Sequence, residues 1–139
     1  MRRESTSSAQ TEQIGAELAA GLEPGDVVLI SGDLGAGKTT LVRGACRALG
    51  VQGPVTSPTF AIGNRYHGER GLIGHLDLYR LGSLGDEDPD LLTDYIGEDL
   101  ITFVEWPDLA EPELESLGRI VRRVRLEHAG DDRRIVEIG

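Results

Sequence analysis

The sequence predicts an α/β fold, with a central mixed sheet flanked by helices and a C-terminal β-hairpin. Three observations predict it. The apolar run at 27–30 leads into a glycine-rich loop and then into an amphipathic helix. A second apolar run, at 101–104, has the length of a buried strand, and the last twenty residues contain two strand-like segments around a turn. The order strand, loop, helix, strand is typical of a parallel α/β unit.

The first segments follow from simple local signals. Residues 1–7 are polar and predict a disordered tail, so residues 8–139 are taken as one domain. Ser8 can cap a helix that carries Ile14, Leu18 and Leu22 at helical spacing, and Pro24-Gly25 ends it. The strand over 26–31 comes next.

The loop at 32–40 reads Gly-Asp-Leu-Gly-Ala-Gly-Lys-Thr-Thr and contains Lys38, the single lysine of the chain. Four residues separate two glycines, and a lysine and a hydroxyl residue follow; this is the pattern of a phosphate-binding loop. With this composition a match arises by chance roughly 0.002 times per chain of this length. The domain is therefore expected to be P-loop NTPase-like. The helix after the loop should end at Gly50 and bury Leu41, Ala45, Ala48 and Leu49.

The second half predicts shorter elements. Strands at 59–63 and 72–77 should form a hairpin around a polar bend, and a loop over 82–100 should hold a short helix at 89–95. A buried strand at 101–104 and a short helix at 113–117 follow. Strands at 120–127 and 133–138 form the last hairpin, turned at 129–131.

The loop predicts a nucleoside triphosphate site with Mg²⁺. Backbone amides and the N-terminus of the next helix would face the phosphate oxygens, Lys38 would add a positive charge for the outer phosphates, and the Thr39 hydroxyl would face the metal. The residues expected to bind the nucleotide are Gly35, Ala36, Gly37, Lys38, Thr39 and Thr40.

A hydrolytic site also needs a carboxylate at the end of a neighbouring strand, to hold Mg²⁺ or to place the attacking water. Glu105 ends the strand at 101–104, and Asp77 ends the strand at 72–77. Either acid taken alone could be a surface carboxylate at a strand end, but the upstream phosphate loop favours a functional role for both. His75, His67 and His128 have no partners at zinc spacing and are interpreted as structural.

Composition narrows the classes of protein and partner. The net charge is −10, and residues 81–118 contain twelve acidic residues and no lysine or arginine. That segment is either a solvated surface or an acidic docking surface. Strong direct binding to nucleic acid is not expected, because phosphate contacts need a dense basic patch and only the C-terminal hairpin could supply a small one. No apolar run is long enough to span a membrane and no signal-peptide segment is present, so we expect a cytoplasmic protein. We also expect the protein to be a monomer when free.

The identity of the nucleotide base is harder to predict from the sequence than the binding of the phosphates. Guanine-specific GTPases use an Asn-Lys-x-Asp motif, whereas this chain has one asparagine, Asn64, and its one lysine is in the loop. The Leu-Ser-Gly-Gly-Gln signature of transporter-type ATPases is also absent. ATP is therefore the expected nucleotide.

Four motifs, in this order and spacing, resemble the TsaE (YjeE) family of small bacterial ATPases of tRNA threonylcarbamoyladenosine synthesis. They are the loop at 32–40, Ser-Pro-Thr-Phe at 57–60, His-Leu-Asp-Leu-Tyr-Arg-Leu at 75–81 and Val-Glu-Trp-Pro at 104–107. The resemblance covers nearly the whole chain from residue 8 onward.

The resemblance implies roles for particular residues. Thr39 and Glu105 would coordinate Mg²⁺, Asp77 would support the metal shell or the water, and Thr59 would sense the γ-phosphate. Trp106 would lie beside the nucleotide, although a core anchor is an equal explanation for a large aromatic after a strand. Ser8 and Arg133 would border the base.

The resemblance also implies an auxiliary function. Such a protein binds the TsaB–TsaD heterodimer, and its ATP hydrolysis supports the complex that modifies the adenosine beside the anticodon in tRNAs decoding ANN codons. Two alternatives stay open on the residues alone: a small-metabolite P-loop kinase, and a nucleotide-dependent interaction module without turnover. The absence of arginine over 81–118 counts against a kinase, which needs an arginine-bearing lid.

Overall fold

The computed structural model describes residues 1–33, 35–58, 62–79 and 89–139, with Leu109 described by its backbone alone. Its strands are β1 (Arg2–Ser5), β2 (Asp26–Gly32), β3 (Gly63–Gly68), β4 (Gly71–Asp77), β5 (Leu100–Glu105), β6 (Arg119–His128) and β7 (Arg134–Ile138). Its helices are α1 (Ser8–Ala19), α2 (Lys38–Ala48) and α3 (Glu111–Leu117), with short 3₁₀ turns at Pro89–Leu91 and Pro107–Leu109.

The strands of the described chain form one mixed sheet in the order β1-β7-β6-β2-β5-β4-β3. β2 runs parallel to both β5 and β6, and β5 runs parallel to β4. The outer strands β3, β7 and β1 pair antiparallel with their neighbours. The prediction of an α/β fold with a mixed sheet and a C-terminal hairpin is confirmed. Because the central strands are parallel, the carboxyl ends of β2, β4 and β5 meet at one edge, where α/β folds place their ligands.

Both faces of the sheet are covered, which explains the uninterrupted apolar runs of the central strands. On one face, α1 and α2 pack over Val28, Ile30 and Phe103. On the other face, Leu114 of α3 and Leu92 pack against Val27, Leu29 and Val104. The core therefore holds β2 and β5 rigidly on both sides, and these strands carry the residues at the candidate site.

Two glycines let α1 cross α2 at very short range. A Cβ on Gly15 would lie 2.1 Å from the Leu41 carbonyl oxygen, and a Cβ on Gly44 would lie 1.9 Å from that of Glu12. No side chain fits there without moving one of the helices. This close crossing brings the start of α1 beside the start of α2.

The predicted disordered tail over residues 1–7 is wrong for residues 2–5, which form β1 and pair with β7. The amino group of Met1 donates a hydrogen bond to the carbonyl oxygen of Ile138. Order in this segment comes mainly from main-chain pairing rather than from apolar side chains, so the polar composition was misleading. The helix cap also shifts by one residue: the Ser7 side chain accepts the hydrogen bond from the Gln10 amide, and Ser8 is the first helical residue.

Other boundaries move as well. α1 ends at Ala19, before the predicted Pro24-Gly25 stop. On α2 the buried face turns toward Val42 and Cys46, and Ala48 is exposed in the last turn. Gly50 adopts a positive φ of 90°, as expected for a residue that follows a helix.

The β3–β4 hairpin lies later in the chain than predicted. β3 covers 63–68, most of the predicted polar bend, because an edge strand with one face toward solvent tolerates polar residues. Of the strand predicted at 59–63, residues 59–61 lie outside the described part of the chain. The helix predicted at 89–95 reduces to the three-residue 3₁₀ turn at 89–91, and α3 begins at 111 rather than 113. No helix in the described ranges is long and apolar enough to span a membrane.

Candidate functional site

The phosphate-binding loop connects β2 to α2 at the carboxyl edge of the sheet. β2 ends at Gly32 and α2 begins at Lys38. Gly37 precedes the helix with φ of 98°, a left-handed conformation that side chains disfavour, and as a glycine it provides no side-chain cap for the helix amides. The first amides of a helix have no acceptor within the helix, so an anion is favoured at this end of α2. Leu34 lies outside the described residues.

Lys38 is folded back over its own loop. Its Nζ donates hydrogen bonds to the carbonyl oxygens of Gly32 at 2.8 Å and Asp33 at 2.7 Å, and it lies 4.3 Å from the centroid of the Trp106 ring. Burial lowers the pKa of Lys38, while the charge of Glu105 is the largest of the effects that oppose this shift. The ammonium group is thus enclosed between loop carbonyls and an aromatic face, with limited access to water.

Thr39 and Glu105 are in direct contact. The Thr39 hydroxyl lies 3.0 and 3.1 Å from the two carboxylate oxygens of Glu105 and donates to them. The hydroxyl of Ser57 lies 2.8 Å from that of Thr39 and, since Thr39 gives its proton to Glu105, Ser57 is the donor between them. Glu105 is only 2% exposed. A buried carboxylate at the tip of β5 therefore faces the first turn of α2.

Asp77 lies next to Glu105 because the parallel strands β4 and β5 align these two residues. One oxygen of Asp77 accepts a hydrogen bond from the Tyr79 amide at 3.0 Å. Burial raises the pKa of Asp77, and the nearby charge of Glu105 acts in the same direction. The sheet register thus brings together the two strand-end acids that the sequence singled out.

These residues surround one cavity of about 300 Å³. It is lined by Gly35, Gly37, Lys38, Thr39, Thr40, Ser57, Asp77, Glu105 and Trp106. Trp106 enters it from a left-handed backbone conformation (φ 58°), which is unusual for a bulky residue, and its amide donates to the Ile30 carbonyl oxygen at 3.1 Å. Its ring contacts that of Tyr79, with centroids 4.8 Å apart. Trp106 is therefore a wall of the cavity as well as an apolar anchor.

A second cavity of about 410 Å³ lies on the other side of the loop. It is lined by Thr6, Ser7, Ser8, Thr11, Gly35, Gly37, Thr40, Asp132 and Arg134. It shares Gly35, Gly37 and Thr40 with the first cavity, so the two flank the phosphate loop. Ser8, for which the resemblance implies a place beside the base, lines this second cavity, and its contact with a base stays a prediction.

Arg133 does not line either cavity. Its guanidinium donates to Glu4 on β1 at 2.9 Å. Arg134 lines the second cavity, and its guanidinium donates to the Gly35 carbonyl oxygen at 3.3 Å. A contact between Arg133 and the base stays a prediction, and the side chain that reaches the loop is that of Arg134, because neighbouring residues of an extended segment point to opposite sides.

Sequence reasoning missed four residues of the site: Arg134, Asp132, Ser57 and His75. Arg134 and Asp132 were missed because the sequence does not give the register of the last hairpin. Ser57 belongs to the Ser-Pro-Thr-Phe motif, but the motif implied no role for it. His75 is interpreted as structural from the sequence because it has no partners at zinc spacing. It precedes Asp77 by two positions, however, and so shares its face of the strand. Thr59 lies outside the described residues. Ala36 is buried within the loop, and its amide donates to the Asp33 carbonyl oxygen at 3.1 Å.

Comparisons with known proteins identify the family of this chain. The sequence profile of the family described as "Threonylcarbamoyl adenosine biosynthesis protein TsaE" matches residues 5–136. Among curated proteins, the tRNA threonylcarbamoyladenosine biosynthesis protein TsaE of Synechocystis is 47% identical over 109 residues, which cover 76% of this chain and 69% of that protein. The protein of the same name from Streptomyces coelicolor is 44% identical, over 86% of this chain and 80% of the relative.

The fold is shared with a solved structure. The crystal structure of YdiB from Bacillus subtilis superposes with a TM-score of 0.74 and 31% identity, covering 98% of this chain and 82% of that chain. The protein named TsaE from Bacillus subtilis is 40% identical over 90% of this chain and 76% of its own length. The chain therefore belongs to the TsaE family of tRNA threonylcarbamoyladenosine biosynthesis proteins.

Proposed function

We propose that this protein is a magnesium-dependent ATPase that binds the TsaB–TsaD heterodimer and supports threonylcarbamoylation of the adenosine beside the anticodon in tRNAs decoding ANN codons. One observation carries the ATPase part of the proposal. Thr39, at the start of α2, is hydrogen-bonded to the buried carboxylate of Glu105, beside the lone lysine of a phosphate-binding loop. That combination is what a hydrolytic P-loop site needs.

The chain's own groups suit the outer phosphates of ATP. The N-terminus of α2 follows the loop directly, its first amides have no acceptor within the helix, and Lys38 already donates to oxygen atoms of the loop. Phosphate oxygens are stronger acceptors than the carbonyl oxygens that Lys38 contacts, because they carry charge. The Trp106 ring beside Nζ excludes water from one side of the ammonium, and electrostatic attraction to phosphate is stronger where water is excluded.

The donor set fits Mg²⁺. Hard cations prefer oxygen ligands, and a hydroxyl and a carboxylate lie in contact at the mouth of the loop. Thr39 and Glu105 would hold the ion together with phosphate oxygens. Bound there, Mg²⁺ would supply positive charge that stabilises the phosphate oxygens as negative charge develops on them.

Asp77 is the best placed group to orient and deprotonate the attacking water. It lines the same cavity as Glu105, and its raised pKa makes it a stronger proton acceptor than an ordinary aspartate. The second cavity, with Ser8 and Arg134 in its wall, would take the adenosine part.

The pathway follows from the family, whereas the partner is a proposal of its own. A chain of net charge −10 is poorly suited to hold tRNA itself, so a protein partner that carries the tRNA is the simpler arrangement. We further propose that ATP hydrolysis resets the TsaB–TsaD complex between catalytic cycles, in the cytoplasm where tRNA is modified.

A comparison of ATPase rates tests the proposal. Hydrolysis is measured for the isolated protein and for the protein with TsaB–TsaD, using the wild type and Lys38→Ala. We expect slow hydrolysis alone, faster hydrolysis with the partner, and at least about 10-fold weaker ATP binding in the variant, because a charge-assisted hydrogen bond to phosphate is worth about 1.5–3 kcal/mol. A pull-down of TsaB–TsaD with and without ATP measures the partner interaction directly.

Other outcomes would contradict specific parts. Phosphate transfer to a small acceptor without TsaB–TsaD would indicate a kinase, and ATP binding with no turnover under either condition would indicate an interaction module. If the partner complex modified tRNA over many cycles equally well with Lys38→Ala, hydrolysis would not be the resetting step.

A further inference from the structure

His75 lies directly behind Glu105, in a part of the site that the proposed chemistry does not use. It is fully buried on β4, two residues before Asp77, so both side chains lie on the same face of the strand. Its Nε2 is 2.5 Å from an oxygen of Glu105. Strand β4 therefore contacts the site through two side chains, one at the cavity wall and one beneath it.

The two donors to Glu105 within the described chain, Thr39 and His75, differ in how firmly they are held. The Thr39 hydroxyl can rotate, it also contacts Ser57, and it is the group proposed to face Mg²⁺. The His75 ring is enclosed by the core, with the Tyr66 ring 6.3 Å away between centroids. His75 is thus the donor whose position stays the same while the contacts of Thr39 change.

The second ring nitrogen of His75 indicates that the contact with Glu105 is what a histidine provides at this position. Nδ1 is buried and has no hydrogen-bond partner among the described residues. A buried polar atom without a partner is unfavourable, and an apolar side chain of similar size at this position would avoid that penalty. The contact from Nε2 to Glu105 is the feature that such a side chain would lose.

We infer that His75 is a positioning residue: by donating from Nε2 it holds the Glu105 carboxylate in the orientation that faces Thr39 and the proposed Mg²⁺. The inference rests on the proposed ATPase function. Without this donor Glu105 would rotate or lose its alignment, so hydrolysis and the contribution of Mg²⁺ to ATP binding would fall, while the phosphate loop itself would be unchanged.

A pair of variants separates positioning from packing. His75→Leu keeps the bulk and removes the donor, whereas His75→Gln places an amide donor near the former Nε2. The control is Thr102→Val on β5, which removes a buried hydrogen bond to the Tyr95 carbonyl oxygen, at a residue whose side chain lies on the opposite face of the sheet from Glu105. Each protein is measured for thermal unfolding, for kcat and KM of ATP hydrolysis, and for binding of a fluorescent ATP analogue with Mg²⁺ or with EDTA.

We expect His75→Leu to lower kcat by about 10- to 100-fold, the usual effect of removing a group that orients a metal ligand. It should also reduce the tightening of binding by Mg²⁺, with binding in EDTA unchanged. His75→Gln should recover most of both quantities, and Thr102→Val should lower the melting temperature but leave kcat unchanged.

The inference is overturned if His75→Leu matches the wild type in kcat and in Mg²⁺ dependence, or if a folded His75→Gln is as impaired as His75→Leu. A wild-type protein that neither binds nor hydrolyses Mg-ATP would instead overturn the proposed function, and the inference with it.

Discussion

Replacing Glu105 with glutamine removes one negative charge from the candidate site and nearly preserves the shape of the side chain. The residue is 2% exposed and accepts hydrogen bonds from Thr39 and His75. Glutamine can still accept through its carbonyl oxygen, but its amide nitrogen must then face one of the two donors. The variant thus weakens both contacts and leaves a poorer ligand for the proposed Mg²⁺.

The expected magnitude follows from these contacts. A hydrogen bond to a charged group is worth about 1.5–3 kcal/mol and one between neutral groups about 1 kcal/mol, so neutralising the acceptor of two bonds loses about 1–4 kcal/mol. If the carboxylate acts in the transition state, that loss corresponds to a fall in kcat of about 5- to 1000-fold, since about 1.4 kcal/mol is a factor of ten. Binding of ATP should change much less, because Lys38 and the loop amides are untouched.

The assay is steady-state ATP hydrolysis with Mg²⁺, paired with titration of a fluorescent ATP analogue. Asp108→Asn is the matched control, since it also removes one negative charge. Asp108 lies three residues after Glu105, is exposed and lines neither cavity. Glu105→Gln protein that hydrolyses ATP at the wild-type rate would refute the reasoning, and an equal loss in Asp108→Asn would show that net charge rather than site geometry is responsible.

Two further predictions concern the base side and the pH dependence of stability. Arg134→Ala should weaken ATP binding by about 5-fold, as expected for one lost hydrogen bond, whereas Arg133→Ala should bind normally because its partner is Glu4; equal effects in a titration would contradict the assigned register. Burial raises the pKa of Asp77, so the folded state favours the protonated form. The ionised carboxylate therefore lowers the free energy of unfolding, and this loss of stability is fully present above the raised pKa. Asp77→Asn should therefore raise the melting temperature at neutral pH, and the gain should disappear below the ordinary carboxyl pKa of 3.8; a gain that persists in acid would show another cause.

Sequence reasoning succeeded where a local pattern has one physical solution. The loop at 32–40 joins a buried strand to a helix, and its spacing leaves little freedom in where Lys38 and Thr39 point. Glu105 and Asp77 were predictable as a pair because each ends an apolar strand, and parallel strands end at the same edge.

It failed where pairing with a distant strand decides the structure. β1 is ordered by main-chain hydrogen bonds to β7, which lies 129 to 135 residues later in the chain. The residues of Arg2–Ser5 themselves give no sign of this pairing. Arg133 and Arg134 are equivalent in composition, and only the register of β6 with β7 determines which of them faces the loop. The contact between His75 and Glu105 likewise depends on the alignment of β4 with β5.

The chain alone determined the fold class, the phosphate loop and the acids at the strand ends, because these follow from short-range periodicity and from residue chemistry. The tertiary structure alone decided which groups meet: the pairing of Glu105 with His75, the contact of Arg134 rather than Arg133 with the loop, and the cavity beside Ser8. The physical reason is that strand register and helix crossing depend on packing between segments far apart in sequence, and a shift of one residue turns a side chain to the other face.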